Sequence, residues 1–400
     1  MKVLELHLEI NSKYFLVIIE LLKSAGAEAR VVGGAVRDAL LGIASSDVDI
    51  VTNLTPEKVT ELFLEHGIKV IPTGIKFGTV TAIIQNESFE ITTLRKDFDC
   101  DGRHAKIIYS NDFCSDAERR DFTINALSYC PIKHQVYDYF SGIADLFARK
   151  VVFVGNAEQR IKEDYLRILR FFRFSCRYAK KIDAEALAAC IVNKDKLPSL
   201  SGERIKSELD LLLLLEGSAD ILSVMFESGV LRKILPINYY NKDLHIKYLK
   251  IAMSFGATLE LPAIYAMLFS SADISYNKLL ALKFSRSEAR IIIKLLELER
   301  LEDINIIIAM LKNIWLEEKP CLLYFIRASL TVNDTSIYDL YTHLSTLEVP
   351  TCPVNGNDLL ELGYNGKEIG TALDSIKKIW IESDFSLDRL QLIKLVNHHE

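Results

Sequence analysis

Two adjacent glycines between an apolar strand and a helix constrain this chain more than any other feature. Arg30-Val31-Val32 reads as the end of a short strand, and Arg37-Asp38-Ala39-Leu40-Leu41 as the start of a helix. Between them Gly33-Gly34 lets the backbone approach a ligand closely and points N–H groups at an anion, most naturally a phosphate. Asp47-Val48-Asp49-Ile50-Val51 then reads as the next strand. Residues i and i+2 of a strand share a face, so Asp47 and Asp49 place two hard carboxylates side by side, as a Mg²⁺ pair needs. Val48 and Ile50 anchor the other face. A lone G-G is usually a turn and a lone D-x-D a solvated strand end. Together and in this order they imply nucleotidyl transfer: a phosphate cradle beside a metal site.

The chain has 400 residues, which points to two to four domains. Half of its residues are hydrophobic and 26% are charged, with no low-complexity tract, so it reads as globular. Its apolar runs, such as Tyr14 to Ile19 and Leu211 to Leu215, fall far short of the roughly 20 residues of a membrane span. Met1-Lys2 is followed by Glu5, Glu9 and Glu20 without a signal-peptide pattern. The seven cysteines are scattered, without C-x-x-C spacing, and read as reduced thiols of a cytoplasmic protein rather than as disulfides or a zinc site. The net charge of −6 argues against indiscriminate coating of nucleic acid. A local basic surface nevertheless exists: Arg160, Lys162, Arg167, Arg170, Arg173, Arg177, Lys180 and Lys181 face only Glu163 and Asp164 in that stretch.

Up to about residue 140, strand and helix signals alternate. Phe15 to Leu22 reads as a helix, and Val31-Val32, Asp47 to Thr52, Thr79 to Gln85 and Phe89 to Leu94 read as strands. Pro56 opens a helix running to Glu65, with Thr55 as its N-cap. Asp97 to Ala117 is polar and contains glycine; it reads as a mobile loop leaving the sheet. From about Ala157 onward, Leu-, Ile- and Lys-rich amphipathic segments recur between breaks at proline and glycine, so the remainder is helical.

Glu158 to Phe174 is the second informative stretch. On a helical wheel at about 100° per residue, Arg160, Glu163, Asp164, Arg167 and Arg170 fall in one sector about 120° wide. Ile161, Tyr165, Ile168, Leu169 and Phe172 fall opposite. Asp164 and Arg167 become i,i+3 neighbours. One reading is a surface salt bridge of little energetic weight. The other is a base reader. Arg offers only donors and ionised Asp only acceptors. Cytosine presents acceptors at O2 and N3 and a donor at N4; adenine presents an acceptor at N1 and a donor at N6. Uracil O4 and guanine O6 would instead meet the carboxylate, acceptor against acceptor, which discriminates by orders of magnitude.

With these motifs in order, the chain resembles the class II tRNA nucleotidyltransferases, the CCA-adding enzyme family of the polymerase-β-like superfamily. The resemblance runs from about Arg30 to Leu215. Val31 to Gly42 with Asp47 to Thr52 resembles the catalytic motif; Arg119 to Leu127 resembles the ribose-recognition motif; Tyr137 to Gly142 resembles the hinge; Glu163 to Arg167 resembles the amino-acid template; and Glu203-Arg204-Ile205 with Glu208 resembles a helix-stabilising motif. It implies an α+β nucleotidyltransferase head over 1–142, then an all-α neck (143–200), body (201–330) and tail (331–400).

It further implies template-independent addition or repair of the tRNA 3′-terminal CCA from CTP and ATP. Asp47 and Asp49 would be the catalytic metal ligands, holding two Mg²⁺ ions. Gly33, Gly34, Arg37, Arg170 and Arg173 would bind the triphosphate. Asp121 would accept from the 2′-OH while Arg119 or Arg120 holds phosphate or ribose, and Asn125 belongs to the same nucleotide-binding motif. Asp164 and Arg167 would read the base. Glu90 is either a third carboxylate or an ordinary edge-strand glutamate. Tyr139 and Ser141 stand where the family usually has Pro and a second Gly, which implies a stiffer hinge.

A-adding-only, CC-adding and poly(A)-polymerising relatives are the alternatives. Pro72 to Val80 resembles the tRNA-acting branch, and the Asp97–Ala117 loop resembles enzymes that also add A. The implied partner is tRNA, gripped by its acceptor and T arms, with no membrane and no obligate protein partner. The glycine-bounded helix starts after Pro353 and Gly363 are either contacts to tRNA phosphates or ordinary caps.

Overall fold

The computed structural model describes residues 1–10, 14–44, 48–72, 74–75, 78–98, 106–254, 260–270, 272–299, 306–308, 311–312, 339, 351–383 and 385–396. The chain divides into two compact units, Met1–Leu235 and Pro236–Glu400. Among the described residues no helix is long and apolar enough to cross a membrane. The described cysteines Cys114, Cys130, Cys176, Cys190 and Cys352 are free thiols, and burial pushes Cys176 up to about 11. Cys100 and Cys321 lie outside the described residues.

The first unit opens with β1 (Lys2–Glu5), α1 (Phe15–Ser24), β2 (Ala29–Val32), α2 (Gly34–Leu40), β3 (Asp49–Thr52), α3 (Pro56–Glu65), β4 (Lys69–Ile71), β5 (Thr79–Ile84) and β6 (Glu87–Thr93). There follow β7 (Arg95–Phe98), β8 (Lys106–Tyr109), α4 (Phe113–Glu118), β9 (Ser128–Cys130), β10 (Gln135–Asp138) and α5 (Gly142–Phe147). Eight strands form one sheet in the order β1-β10-β9-β2-β3-β6-β5-β4, and β7 pairs with β8 apart from it. All neighbours in the large sheet are antiparallel except β3 and β6.

Pro56 begins α3 at its first turn, and Thr55 is its N-cap in extended conformation, although the hydroxyl makes no capping bond. One face of the sheet is closed by α1, α2 and α3. Ile18, Ile19, Leu22, Val36, Val59 and Phe63 bury against Val31, Val48, Ile50, Val80 and Ile91. The strand period of two sends Val32 and Val51 to the opposite face, where they meet Leu94 and Phe113. On that same face Arg30 is buried between the rings of Phe113 and Tyr137, at 3.8 and 3.6 Å from their centroids.

Two expectations need correcting. Glu90 is not on an edge strand: β6 lies between β3 and β5. The described part of Asp97–Ala117 is no plain loop, because it supplies most of the β7–β8 ribbon and nearly all of α4. Asp112 caps α4 by accepting from the N–H groups of Cys114 and Ser115. Residues 99–105 lie outside the described residues.

Helices complete the unit: α6 (Ala157–Glu163), α7 (Leu166–Tyr178), α8 (Ala184–Asn193), α9 (Gly202–Leu213), α10 (Ser218–Glu227) and α11 (Leu231–Ile234). Phe122 packs against Phe153 at 4.9 Å and against Phe174 of α7 at 5.3 Å; Phe171 stacks on Phe153 at 5.8 Å. The wheel sent Ile161, Tyr165, Ile168, Leu169 and Phe172 inward; all are buried except Tyr165, which is half-buried. The single helix it assumed is interrupted, however. Asp164 takes an extended conformation (φ −155°, ψ 108°). Its carboxylate accepts from the Leu166 N–H at 3.1 Å, so a side chain replaces a helical bond and starts α7 afresh.

The described elements of the second unit are helices: Lys242–Ser254, Leu261–Leu268, Tyr276–Ala281, Arg286–Glu299, Gly356–Glu361, Lys367–Glu382 and Arg389–Val396. Its last three helices share a core of Val354, Leu359, Ile376, Trp380 and Leu392. The helix after Pro353 starts with an ordinary capping box, in which Asn355 and Asp358 take each other's backbone N–H groups.

Candidate active site

The β2–α2 turn needs its first glycine. Gly33 has φ +68°, and a Cβ there would lie 2.9 Å from Arg120 Nη1. Gly34 opens α2, and Arg37 one turn later is only 5% exposed. Its guanidinium grips Asp38 through Nε at 2.9 Å and Nη2 at 3.1 Å, and Nη1 donates to Asn125 Oδ1. Asp49 begins β3, exposed, on the face that carries Val51. Glu90, also exposed, stands in register with it on parallel β6. Asp47 lies outside the described residues, so β3 as described begins at Asp49. Among the described residues no group of three or more His, Cys, Asp or Glu forms a metal cluster.

The segment after α4 is organised by two buried carboxylates. Asp116 accepts from Arg119 Nη2 at 2.6 Å and from Arg120 Nη2 at 3.0 Å. Asp121 accepts from the Phe122 N–H at 2.9 Å, Asn125 Nδ2 at 3.0 Å and Arg170 Nε at 2.7 Å. Burial alone would raise both carboxyls; the guanidiniums outweigh it and hold both below the usual carboxylate range.

The helical side carries the longest-range contacts. Asp164 Oδ2 accepts from Arg204 Nη2 of α9 at 2.7 Å. Arg167 Nη1 donates to the Arg160 carbonyl at 2.9 Å and to Glu163 at 2.8 Å, and its Nη2 donates to the Arg119 carbonyl at 2.9 Å. Asp164 and Arg167 are therefore held by separate partners rather than as an i,i+3 pair on one helix. Of the five guanidinium N–H donors of Arg167, Nε–H and one on Nη2 remain for a ligand. Glu208 of α9 joins Arg170 at 3.4 Å and Arg173 at 2.6 Å.

Gly33, Gly34, Arg37, Asp49, Arg119, Arg120, Asp121, Asn125, Asp164, Arg167 and Arg170 line one open cleft of about 370 Å³ with Phe174. Arg173 does not line it; its guanidinium turns to Glu208 and to the ring of Phe174, 4.5 Å from the centroid. Sequence reasoning missed Phe174, although it lies two turns beyond Arg167 on the same helical face. It named Arg204 and Glu208 as part of a helix-stabilising motif without the partners they hold in the cleft, Asp164 and Arg170. Among the described residues the cleft offers carboxylate, amide and guanidinium groups and no thiol or imidazole. That donor set suits a polyphosphate and a hard cation rather than a soft metal.

Comparison with known proteins agrees with this architecture. The profile of the family described as Poly A polymerase head domain matches residues 29–152. A second, described as "Probable RNA and SrmB- binding site of polymerase A", matches residues 181–238. The chain is 34% identical over 394 residues to the mitochondrial CCA tRNA nucleotidyltransferase 1 of Mus musculus, covering 95% of this chain and 88% of that one. It is 37% identical over 217 residues to the CCA-adding enzyme of Leuconostoc citreum, covering 54% of this chain and 53% of that one. Among solved structures, the Bacillus stearothermophilus CCA-adding enzyme in complex with CTP superposes with a TM-score of 0.76 at 26% identity, over 96% of both chains. A likeness to the mouse protein that spans both units, with the head profile lying over the glycine turn and the cleft, places this chain in the family of the CCA tRNA nucleotidyltransferases, the CCA-adding enzymes.

Proposed function

We propose that the cleft binds CTP or ATP with its triphosphate at the β2–α2 turn and its base at Asp164 and Arg167. The chain is a tRNA nucleotidyltransferase that completes or repairs the 3′-terminal CCA of tRNA. The observation that carries the site reading is that the glycine turn, Asp49 and the Asp164/Arg167 pair line one cleft, though they are far apart in sequence. In the reaction the tRNA 3′-oxygen forms a bond to the α-phosphorus as the bond to the β-phosphate oxygen breaks. Pyrophosphate leaves, and the hydroxyl proton passes to solvent.

Asp47 and Asp49 would hold two Mg²⁺ ions, with Glu90 a candidate third carboxylate, and bound Mg²⁺ would offset the charge developing on the phosphoryl oxygens. Gly33 and Gly34 offer backbone at the phosphates, and Arg37, Arg119, Arg120 and Arg170 offer positive charge along the cleft. Asn125, bound to both Arg37 and Asp121, joins the triphosphate side to the ribose side. The two open N–H donors of Arg167 match cytosine O2 and N3, and the Asp164 carboxylate matches the N4 amine. Arg173 enters this scheme by orienting Glu208 rather than by touching phosphate.

The head, neck, body and tail divisions at 142/143, 200/201 and 330/331 remain our proposal for the domain plan. We likewise place the enzyme in the cytoplasm on its free thiols, noting that the mouse relative carries a mitochondrial name.

Single-turnover assays on tRNAs ending at the discriminator base, at C and at CC test the product. With Mg²⁺, CTP and ATP, all three should finish at CCA. Extension of the CC-ended tRNA alone would make the chain a dedicated A-adder, and an unbounded A tail would make it a poly(A) polymerase.

A further inference from the structure

We infer that Tyr178, outside the cleft, is a positioning residue that pins α7 to α2 and so sets how strictly the base is selected. The inference rests on the assignment of Arg167 as base reader. Two of the fastenings of helix α7 tie it to the residues around the glycine turn. Near its start, Arg170 Nε donates to Asp121 Oδ2 at 2.7 Å. At its last residue, the Tyr178 hydroxyl donates to Asp38 Oδ1 at 2.9 Å. The two points lie eight residues apart, about 12 Å along a helix.

Asp38 is itself clasped by Arg37, which reaches through Asn125 to Asp121. The contacts therefore close a ring: α2, Asn125, Asp121, Arg170, α7, Tyr178 and back to α2. The ring joins the turn assigned to the phosphates to the helix assigned to the base.

Tyr178 is 6% exposed and lines no part of the cleft. Its ring stacks on Phe174 at 5.8 Å and lies 4.3 Å from the Arg37 guanidinium. Phenylalanine would fill that space equally well. The hydroxyl adds one buried, charge-assisted bond between two elements 140 residues apart in sequence, a kind of bond stronger than a neutral one. The other charged group facing Asp38 is Arg177, at 4.0 Å. Without the hydroxyl, Asp38 keeps Arg37 and Arg177, and the polar fastenings of α7 through Arg167, Arg170 and Arg173 lie in the stretch before its last turn. The last turn of α7 is then freer to shift, and with it Phe174, which stacks on Tyr178 and lines the cleft beside Arg167. Displacements of about 1 Å at a reacting geometry are worth up to about a hundredfold.

Tyr178→Phe, with Arg167→Ala as the reference, tests this in the full chain with tRNA, Mg²⁺ and each nucleotide separately. The readouts are kcat and KM for CTP, ATP, UTP and GTP, together with the thermal midpoint. We expect the kcat/KM preference for CTP over UTP to fall about tenfold in Tyr178→Phe, carried by a lower barrier to UTP, with kcat for CTP within about threefold of wild type. A lower thermal midpoint with unchanged preference, while Arg167→Ala loses its preference, would make Tyr178 merely structural and overturn the inference. Unchanged preference in both variants would overturn the base-reader assignment beneath it.

Discussion

The two sides of the cleft are built by different means. On the sheet side, Gly33, Gly34 and Asp49 are placed by one strand–turn–helix–strand unit. On the helical side, Arg119, Arg120, Asp121, Asp164, Arg167 and Arg170 are placed by ion pairs and hydrogen bonds, three of them across 40 residues or more of sequence. The sheet side offers backbone and exposed carboxylates to whatever enters. The helical side holds its charges against one another, so that each side chain has its orientation before a nucleotide arrives. On the assignment we propose, chemistry common to all nucleotides would sit on the local unit and discrimination between bases on the web of long-range contacts.

The largest expected effect falls on the sheet side. Asp49→Ala should lower nucleotide incorporation by about 10³-fold or more, because it removes a charge assigned to metal binding. Affinity for tRNA should change little, because the helical side is untouched. Gel-shift titrations beside single-turnover assays separate the two. Activity within tenfold of wild type would transfer the metal role to Asp47 and Glu90 and blur the division between the sides.

The second effect belongs to the helical side and depends on pH. Asp116 and Asp121 both have carboxyls held below their unfolded value of 3.8. A depressed carboxyl contributes stability that is fully present above the unfolded value and is lost as pH falls through the folded one. Urea unfolding should thus show the full, nearly constant contribution of this pair between pH 5 and 8 (roughly), then a decline below about pH 4. Asp116→Asn should flatten that decline. An acid limb identical in the variant and wild type would mean that the arginines do not hold Asp116 as the geometry indicates.

The same division explains what could be read in the chain beforehand. The glycine turn, the D-x-D strand and α3 are local features, fixed by φ, by the period of two and by Pro56. Val48 and Ile50 went to the core face as that period requires. The break at Asp164 was invisible to a wheel, because a wheel does not weigh a carboxylate against a helical carbonyl for one N–H. Glu90 could not be assigned to an interior strand, because the parallel β3–β6 pairing depends on a crossover that includes α3, β4 and β5. Arg173 sat among the arginines in sequence, yet Glu208, 35 residues away, draws it off the cleft.

The smallest expected effect lies at the seam between the two sides, where β10 gives way to α5. Asp138 accepts from the N–H groups of Phe140, Gly142 and Ile143 and so fixes the turn. Within it Ser141 is left-handed, at φ 63° and ψ 25°, exposed, and its side chain makes no capping bond. A non-glycine residue held there costs about 1–2 kcal/mol. Replacing it by glycine relieves that strain but frees the unfolded chain, which costs about 0.4–1 kcal/mol. Ser141→Gly should therefore stabilise by roughly 0.5–1 kcal/mol. That raises the thermal midpoint by about 1–4 °C in a unit of this size. One residue further on the answer is opposite in sign, because a Cβ on Gly142 would lie 2.1 Å from the Thr123 carbonyl oxygen. A lower midpoint for Ser141→Gly would show that Ser141 carries no strain at the turn. The seam would then owe its geometry to Asp138 and the packing of Gly142 against Thr123, local bonds of the kind that build the sheet side.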